Sequence, residues 1–421
     1  MDKWRLDVRP AFPLKAKSYY LSGSLQRATQ IAIMQITAFW RNIRFLQALG
    51  QVAFVLLLAL AAGFLYANAS ANLARLGLTV GYGFLNNPAS FGIGESYIPY
   101  QPSDSYGYAI LVGLVNTLVV SALGIVLTTI VGVIAGIARL SSNWLISRFA
   151  LAYVGIIRNT PLLIQLMFWY FGIIVQLPAV KEAVALPGPI YLTGRGVYLP
   201  WFEAQPTFDS WRIYIWIALA SIVLIWFMFR SSQSRSGLPI PLWWYLAYLL
   251  VPVLILWVGL ILQPQPPLQE NIPVLTGLNF KGGLRLTPEF TALLFGLVVY
   301  TGAFIAEIVR AGIQAISLGQ LEAARSLGLS TGQALRLIVF PQALRIIIPP
   351  MTSQYLNLAK NSSLAIAIGY PDLYSIAGTV ANQTGAVVEV VLIMMLSYLS
   401  MSLFTSLLMN IYNSRVRLVE R

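Results

Sequence analysis

Apolar and polar positions in this chain are segregated into long blocks rather than short periods. Apolar blocks run over about 51–68, 110–137, 144–174, 213–229, 242–262, 290–309, from 341 onward, and 387–411. Each meets or nearly meets the twenty-odd residues that carry a helix across about 30 Å of hydrocarbon, so the pattern predicts eight membrane-spanning helices. The third block is interrupted by Arg158-Asn159-Thr160-Pro161, where the proline removes a backbone donor and bends the span. Polar loops rich in Gly, Pro and Tyr separate the blocks at 69–108 and 176–211, and a Pro/Gln run follows at 263–267. Residues 24–48, with Ile31, Ile33, Ile36, Phe39 and Trp40 among polar neighbours, read either as an amphipathic interfacial helix or as a poorly ordered tail.

One polar interruption is internally ordered. Ser317-x-x-Gln320 has capping-box spacing and opens a helix near Leu318, with Glu322 placed early, where a carboxylate suits the positive dipole end. Ala323 and Ala324 favour the helix and let another surface come close to its backbone. Gly328 supplies the left-handed residue that ends it, and Ser330-x-x-Gln333 repeats the capping spacing for a second helix. Two short helices at an elbow form a docking device, and no residue in them suits catalysis.

Composition narrows the class. The chain has 421 residues, 58% hydrophobic and only 10% charged, with mean hydropathy +0.74, which is a polytopic membrane protein. Cysteine and histidine are absent, which excludes thiolate nucleophiles, disulfides, Cys/His metal sites and histidine relays. Eight Lys/Arg in the first fifty residues, without an early apolar core, argue against a cleavable signal peptide. With the N-terminus inside, the segments 1–50, 138–148, 230–241, 310–345 and 412–421 hold 19 of the 27 Lys/Arg, and the outside loops hold six. That is the positive-inside pattern. It puts both termini and the elbow in the cytoplasm, and the net charge of +13 then calls for no nucleic-acid partner.

Glu322-Ala323-Ala324, Gly328, Ile338 and Pro341 together resemble the cytoplasmic EAA signature of ABC-importer permease subunits, with Phe340 where leucine is usual. Further stretches are similar to permeases for polar amino acids of the histidine, glutamine and arginine type. They are Arg158 to Gln165, Ala306 to Gly312, Pro341 to Arg345, Lys360 to Leu364 and Gly369 to Leu373. The resemblance implies an all-α, five-helix type I importer core over 110–175 and 288–415, with coupling residues Glu322, Ala323, Ala324, Gly328 and Pro341 in the loop 317–341. This chain departs from that core by a basic segment 1–50, an extra span and loop over 51–109, an insertion over 176–287 with two more spans, and a tail 416–421. The longer general L-amino-acid branch of the family has such a build. Periplasmic docking and assembly are both open readings of the insertion.

The resemblance also implies partners: ATP-binding ABC subunits, a second permease and a periplasmic amino-acid-binding protein, besides membrane lipid. None of the six lysines follows a phosphate-binding glycine loop, so this chain holds no cofactor, and ATP with magnesium belongs to the partner ATPase. A polar path needs polar groups that are costly in lipid. The candidates are Arg158, Asn159, Thr160, Pro161, Glu307, Lys360, Asn361, Ser362 and Asn382, with Asn116, Gln165 and Gln383 alongside. Helix–helix hydrogen bonding is the plainer reading of Asn116 and Gln165, and pairing with Arg310 one turn on is the plainer reading of Glu307. If Glu307 is so answered, Arg158 and Lys360 leave a positive balance that favours acidic or neutral polar amino acids over basic ones. The rival class is a secondary transporter or channel with ion-coupled intramembrane charges. A membrane-embedded enzyme lacks an acid–base or metal cluster.

Overall fold

A computed structural model of the chain describes residues 43–75, 81–236 and 242–416. Most of the segment read as an interfacial helix at 24–48, and residues 417–421 of the tail, lie outside the described residues. Contacts divide the chain into two units, Met1–Val80 and Gly81–Arg421. The first unit contributes α1 (Ile43–Arg75), whose apolar stretch buries no residue within the protein. Its length and apolar composition are those of a membrane-crossing helix.

The second unit begins with α2 (Tyr106–Arg139), α3 (Trp144–Asn159) and α4 (Leu162–Met167), the last continuing through wide π turns to Ile174. The insertion supplies α5 (Phe208–Ser236) and α6 (Leu242–Ile261), and α7 (Pro288–Gln314) resumes the core. Next come the elbow helices α8 (Leu318–Ser326) and α9 (Thr331–Ala334), then α10 (Phe340–Asn361), α11 (Leu373–Thr384) and α12 (Val387–Val416). Six helices among the described residues are long and apolar enough to cross a membrane. The α3–α4 pair, bent by 108°, makes a seventh if counted as one span, and Leu246–Ile261 is a shorter apolar helix. Every apolar block of the sequence is thus a helix, and the proline-marked break is a real one.

The centre of the unit is the crossing of α2 and α7. Glycine makes it close: a Cβ on Gly132 would meet Ile305 Cγ2 at 2.5 Å, and one on Gly136 would meet the Ala306 carbonyl at 2.8 Å. Around the crossing, Val120 of α2, Leu162 and Leu166 of α4, Leu293 and Leu297 of α7, and Leu358 of α10 share one buried cluster. Ser105 caps α2 through Tyr108 N–H, and Thr287 caps α7 with Pro288 at its first position.

Two stretches expected as loops are ordered. Segment 81–105 packs Ala89, Phe91 and Tyr100 into a core with α2, α11 and α12. The fully buried Asn116 of α2 donates to the carbonyls of Glu95 and Pro371, both at 2.8 Å, pinning this segment to the turn before α11. Asn116 is therefore a helix–loop fastener, not a group open to a path. Among the described residues, the insertion holds eight short antiparallel strands besides two helices. β1 (Val184–Leu186), β2 (Ile190–Thr193), β3 (Gly196–Leu199) and β8 (Leu284–Leu286) form one sheet in that order. β4 (Trp201–Ala204) pairs with β5 (Leu268–Asn271), and β6 (Val274–Thr276) with β7 (Asn279–Lys281). Tyr191 stacked on Phe280 at 4.5 Å, with Tyr198 beside them, gives these strands a small aromatic core.

Candidate functional site

The elbow follows α7 directly. Ser317 stands at the N-terminus of α8 but makes no side-chain cap, so the first expected capping box does not form; Gln320 N–H bonds the Ser317 carbonyl instead, at 3.1 Å. The C-terminus is closed as expected. Gly328 has φ +79°, its N–H reaches the Arg325 carbonyl at 2.9 Å, and Leu329 N–H reaches the Ala324 carbonyl at 3.1 Å. The second capping box is complete: Ser330 N–H to Gln333 Oε1 at 2.9 Å, and Gln333 N–H to Ser330 Oγ at 3.4 Å. Ala324 is buried while Glu322 and Ala323 are exposed, flanked by Leu318 at 76% and Leu327 at 80% exposure. Pro341 lacks an N–H to give, and the turns before it widen to a π helix over Leu335–Val339, with Phe340 N–H on the Leu335 carbonyl. The elbow thus joins α10 through an irregular but continuous helix.

The second polar feature lies where α2, α7 and the α3–α4 break meet. Tyr153 ties α3 to α7 by donating to the Val299 carbonyl at 2.7 Å, and Val154 packs between Ala135 and Ala306. At the break Gln165 Nε2 donates to the carbonyls of Ile157 and Thr160, both at 2.9 Å; the Ile157 carbonyl is the one that Pro161, lacking an N–H, cannot serve, and Thr160 N–H also reaches it at 3.3 Å. Asn159 and Thr160 turn back on their own helix, donating to Gly155 and Ile156 carbonyls at 2.7 and 2.9 Å. Gln165 is therefore a fastener, like Asn116.

Glu307 of α7 is the focus of charge. One carboxylate oxygen, Oε1, accepts from Arg310 Nε at 3.1 Å and also from its Nη2; the other, Oε2, accepts from Arg139 Nη1. Arg158 approaches Oε2 only to 3.9 Å and rests its guanidinium over the Phe304 ring at 5.1 Å. A cavity of about 380 Å³ opens here, lined by Arg139, Gly155, Arg158, Asn159, Phe304 and Glu307 among others. The pairing of Glu307 with Arg310 is present, and Arg139 joins it. No sequence signal linked Arg139 to Glu307: it is simply the basic residue in the last turn of α2, 168 positions away.

The other candidates lie apart from this cavity. Lys360 is exposed, Asn361 half-buried and Ser362 buried with its hydroxyl on the Ala359 carbonyl at 2.9 Å, all at the end of α10. Asn382 and Gln383 are exposed on α11, the latter accepting from Tyr106 at 3.1 Å. A larger cavity of about 1040 Å³ between α2, α7, α10 and α12 has aliphatic and aromatic walls without a charged side chain.

Residues 128–418 match the family described as binding-protein-dependent transport system inner membrane component. The chain belongs to that family of permeases. The permease is 46% identical over 362 residues to YhdX of Escherichia coli, named as a putative amino-acid ABC transporter permease; the match covers 85% of this chain and 91% of that one. It is 45% identical to the general L-amino acid transport system permease AapQ of Rhizobium johnstonii, covering 84% and 88% of the two chains. A third relative, the glutamate/glutamine/aspartate/asparagine transport system permease BztB of Rhodobacter capsulatus, is 39% identical over 90% of this chain and 96% of its own. The family match contains the elbow and the whole Glu307 cluster, while segment 81–105 precedes it.

Proposed function

We propose that this permease is one membrane subunit of an ATP-driven importer for amino acids in a bacterial inner membrane, with both termini cytoplasmic. It performs no covalent chemistry. ATP and magnesium are bound by separate ATPase subunits that grip the elbow, and a periplasmic binding protein delivers substrate to the other face. Five core spans do not enclose a path alone, so a second, related permease faces this one.

The observation that carries the reading is the exposed, capped elbow placed three residues beyond α7, the helix that bears Glu307. Motion of α8 is thereby passed to the charged cavity through a stiff helix. Arg158, Asn159 and Glu307 line that cavity, and Pro161 and Thr160 shape the break beside it. Lys360, Asn361 and Asn382 offer further polar groups on other helices, apart from that cavity, and Ser362, being buried, acts by holding the end of α10. The relative named for acidic and neutral substrates supports acidic or neutral polar amino acids as cargo. The ion-coupled alternative would need an unanswered intramembrane acid, and Glu307 has guanidinium groups on both oxygens.

Affinity purification through a tag on this chain tests the assembly. The expected result is an ATPase chain and a second, related permease in the eluate, with vesicle uptake stopped by vanadate. Full uptake by a complex rebuilt from this permease and ATPase alone would contradict the heterodimer.

A further inference from the structure

Glu307 is one carboxylate among three guanidinium groups, and the geometry divides them unequally. Arg310 holds Oε1 and Arg139 holds Oε2, with the Arg139 side chain only 14% exposed. Arg158 is left at 3.9 Å from Oε2 without a hydrogen bond, and its side chain is 40% exposed beside the cavity. A carboxylate pairs best with a guanidinium fork in plane, and an arginine whose charge is already answered by one acid attracts a second less strongly. Arg158 is thus the cluster's one arginine without a hydrogen bond to Glu307, and its position costs little because the Phe304 face meets its charge.

We propose that Arg139 is a positioning residue that sets the charge of the path: by holding Glu307 it keeps Arg158 free to receive the substrate's α-carboxylate. This rests on the amino-acid reading above. The α-carboxylate is common to every amino acid, so a site built this way accepts many side chains and disfavours those that bring a second cation. Without Arg139, Oε2 of Glu307 is open and Arg158 is the nearest donor. The pair closes, the carboxylate receptor is lost, and the cluster is less positive by one charge.

The binding protein has its own selectivity, so the test leaves it out. Equilibrium dialysis of labelled glutamate, glutamine and arginine against the purified permease–ATPase complex reads the membrane site itself. The wild type should bind glutamate and glutamine, with arginine competing poorly. Arg139→Gln should weaken glutamate and glutamine by about tenfold or more, the scale of a lost charge-assisted hydrogen bond, while arginine gains relative to both. Arg139→Lys should keep the wild-type order. The double variant Arg139→Gln/Glu307→Gln should regain glutamate binding, because Arg158 then has no acid to close on. Equal loss of all three ligands in Arg139→Gln, unchanged binding, or no recovery in the double variant would overturn the inference. If the wild type binds none of the three, the amino-acid reading itself fails; if it binds them and Arg139→Gln leaves their order alone, only the role of Arg139 fails.

Discussion

The hydrogen bonds made by individual polar side chains inside this protein decide which of them are available for function. Asn116 and Gln165 spend their amide donors on backbone carbonyls: Gln165 joins the two helices at the α3–α4 break, whereas Asn116 reaches a loop and a turn instead of the neighbouring helix that was expected. Glu95 is the most instructive carboxylate outside the spans. Its side chain accepts from Tyr97 at 2.6 Å and from Thr287, while its carbonyl accepts from Asn116. Burial outweighs these bonds and raises its proton affinity above that of an ordinary carboxylate at 4.5. A carboxyl whose value is raised on folding contributes stability fully below its unfolded value and loses it as pH rises through the folded one. The melting temperature of the wild type, measured against Glu95→Gln, should therefore rise as pH falls from neutral toward 4.5. A wild-type advantage that grows with rising pH would show that the two hydroxyl bonds dominate instead.

At the scale of elements, the elbow was legible because its signals are local. Gly328 and the Ser330/Gln333 box act within four residues, and the chain obeys them. Ser317 had the same spacing but its box is not made, since the tight backbone bond from Gln320 already satisfies that end. The break at Pro161 was legible too, whereas its filling by Gln165 was not, because an amide gives no sign of which carbonyl it will meet. The short strands of the insertion were missed. Runs of three or four residues between prolines and glycines look like loop until Tyr191, Tyr198 and Phe280 are brought together. Two elbow variants follow. Gly328→Val forces a side chain onto φ +79°, a strain of about 1–3 kcal/mol at a single turn. Glu322→Lys reverses an exposed charge. Both should leave the protein inserted and abolish uptake, checked by membrane fractionation beside labelled-substrate transport. Normal uptake in both variants would remove the elbow from the coupling path.

For the whole molecule, the apolar blocks sufficed to read a helical membrane protein, since backbone groups in lipid have few other ways to be satisfied. What they concealed are relations across long sequence distance: segment 81–105 fastened to α2 and α11 through Asn116, and Arg139 set against Glu307. Those contacts join helices that pack for reasons of shape, through Gly132 and Gly136, and no periodicity marks which charges then become neighbours. In the proposed function ATPase closure moves the elbow, α7 and the Arg158 cavity in sequence, and ATP, not an ion gradient, drives accumulation. The direct measurement is glutamate uptake by proteoliposomes holding the complete complex and binding protein, with ATP sealed on the elbow side and ion gradients collapsed by ionophores. Accumulation that requires ATP and persists under ionophores is the predicted result; accumulation driven by an imposed proton or sodium gradient without ATP would contradict it.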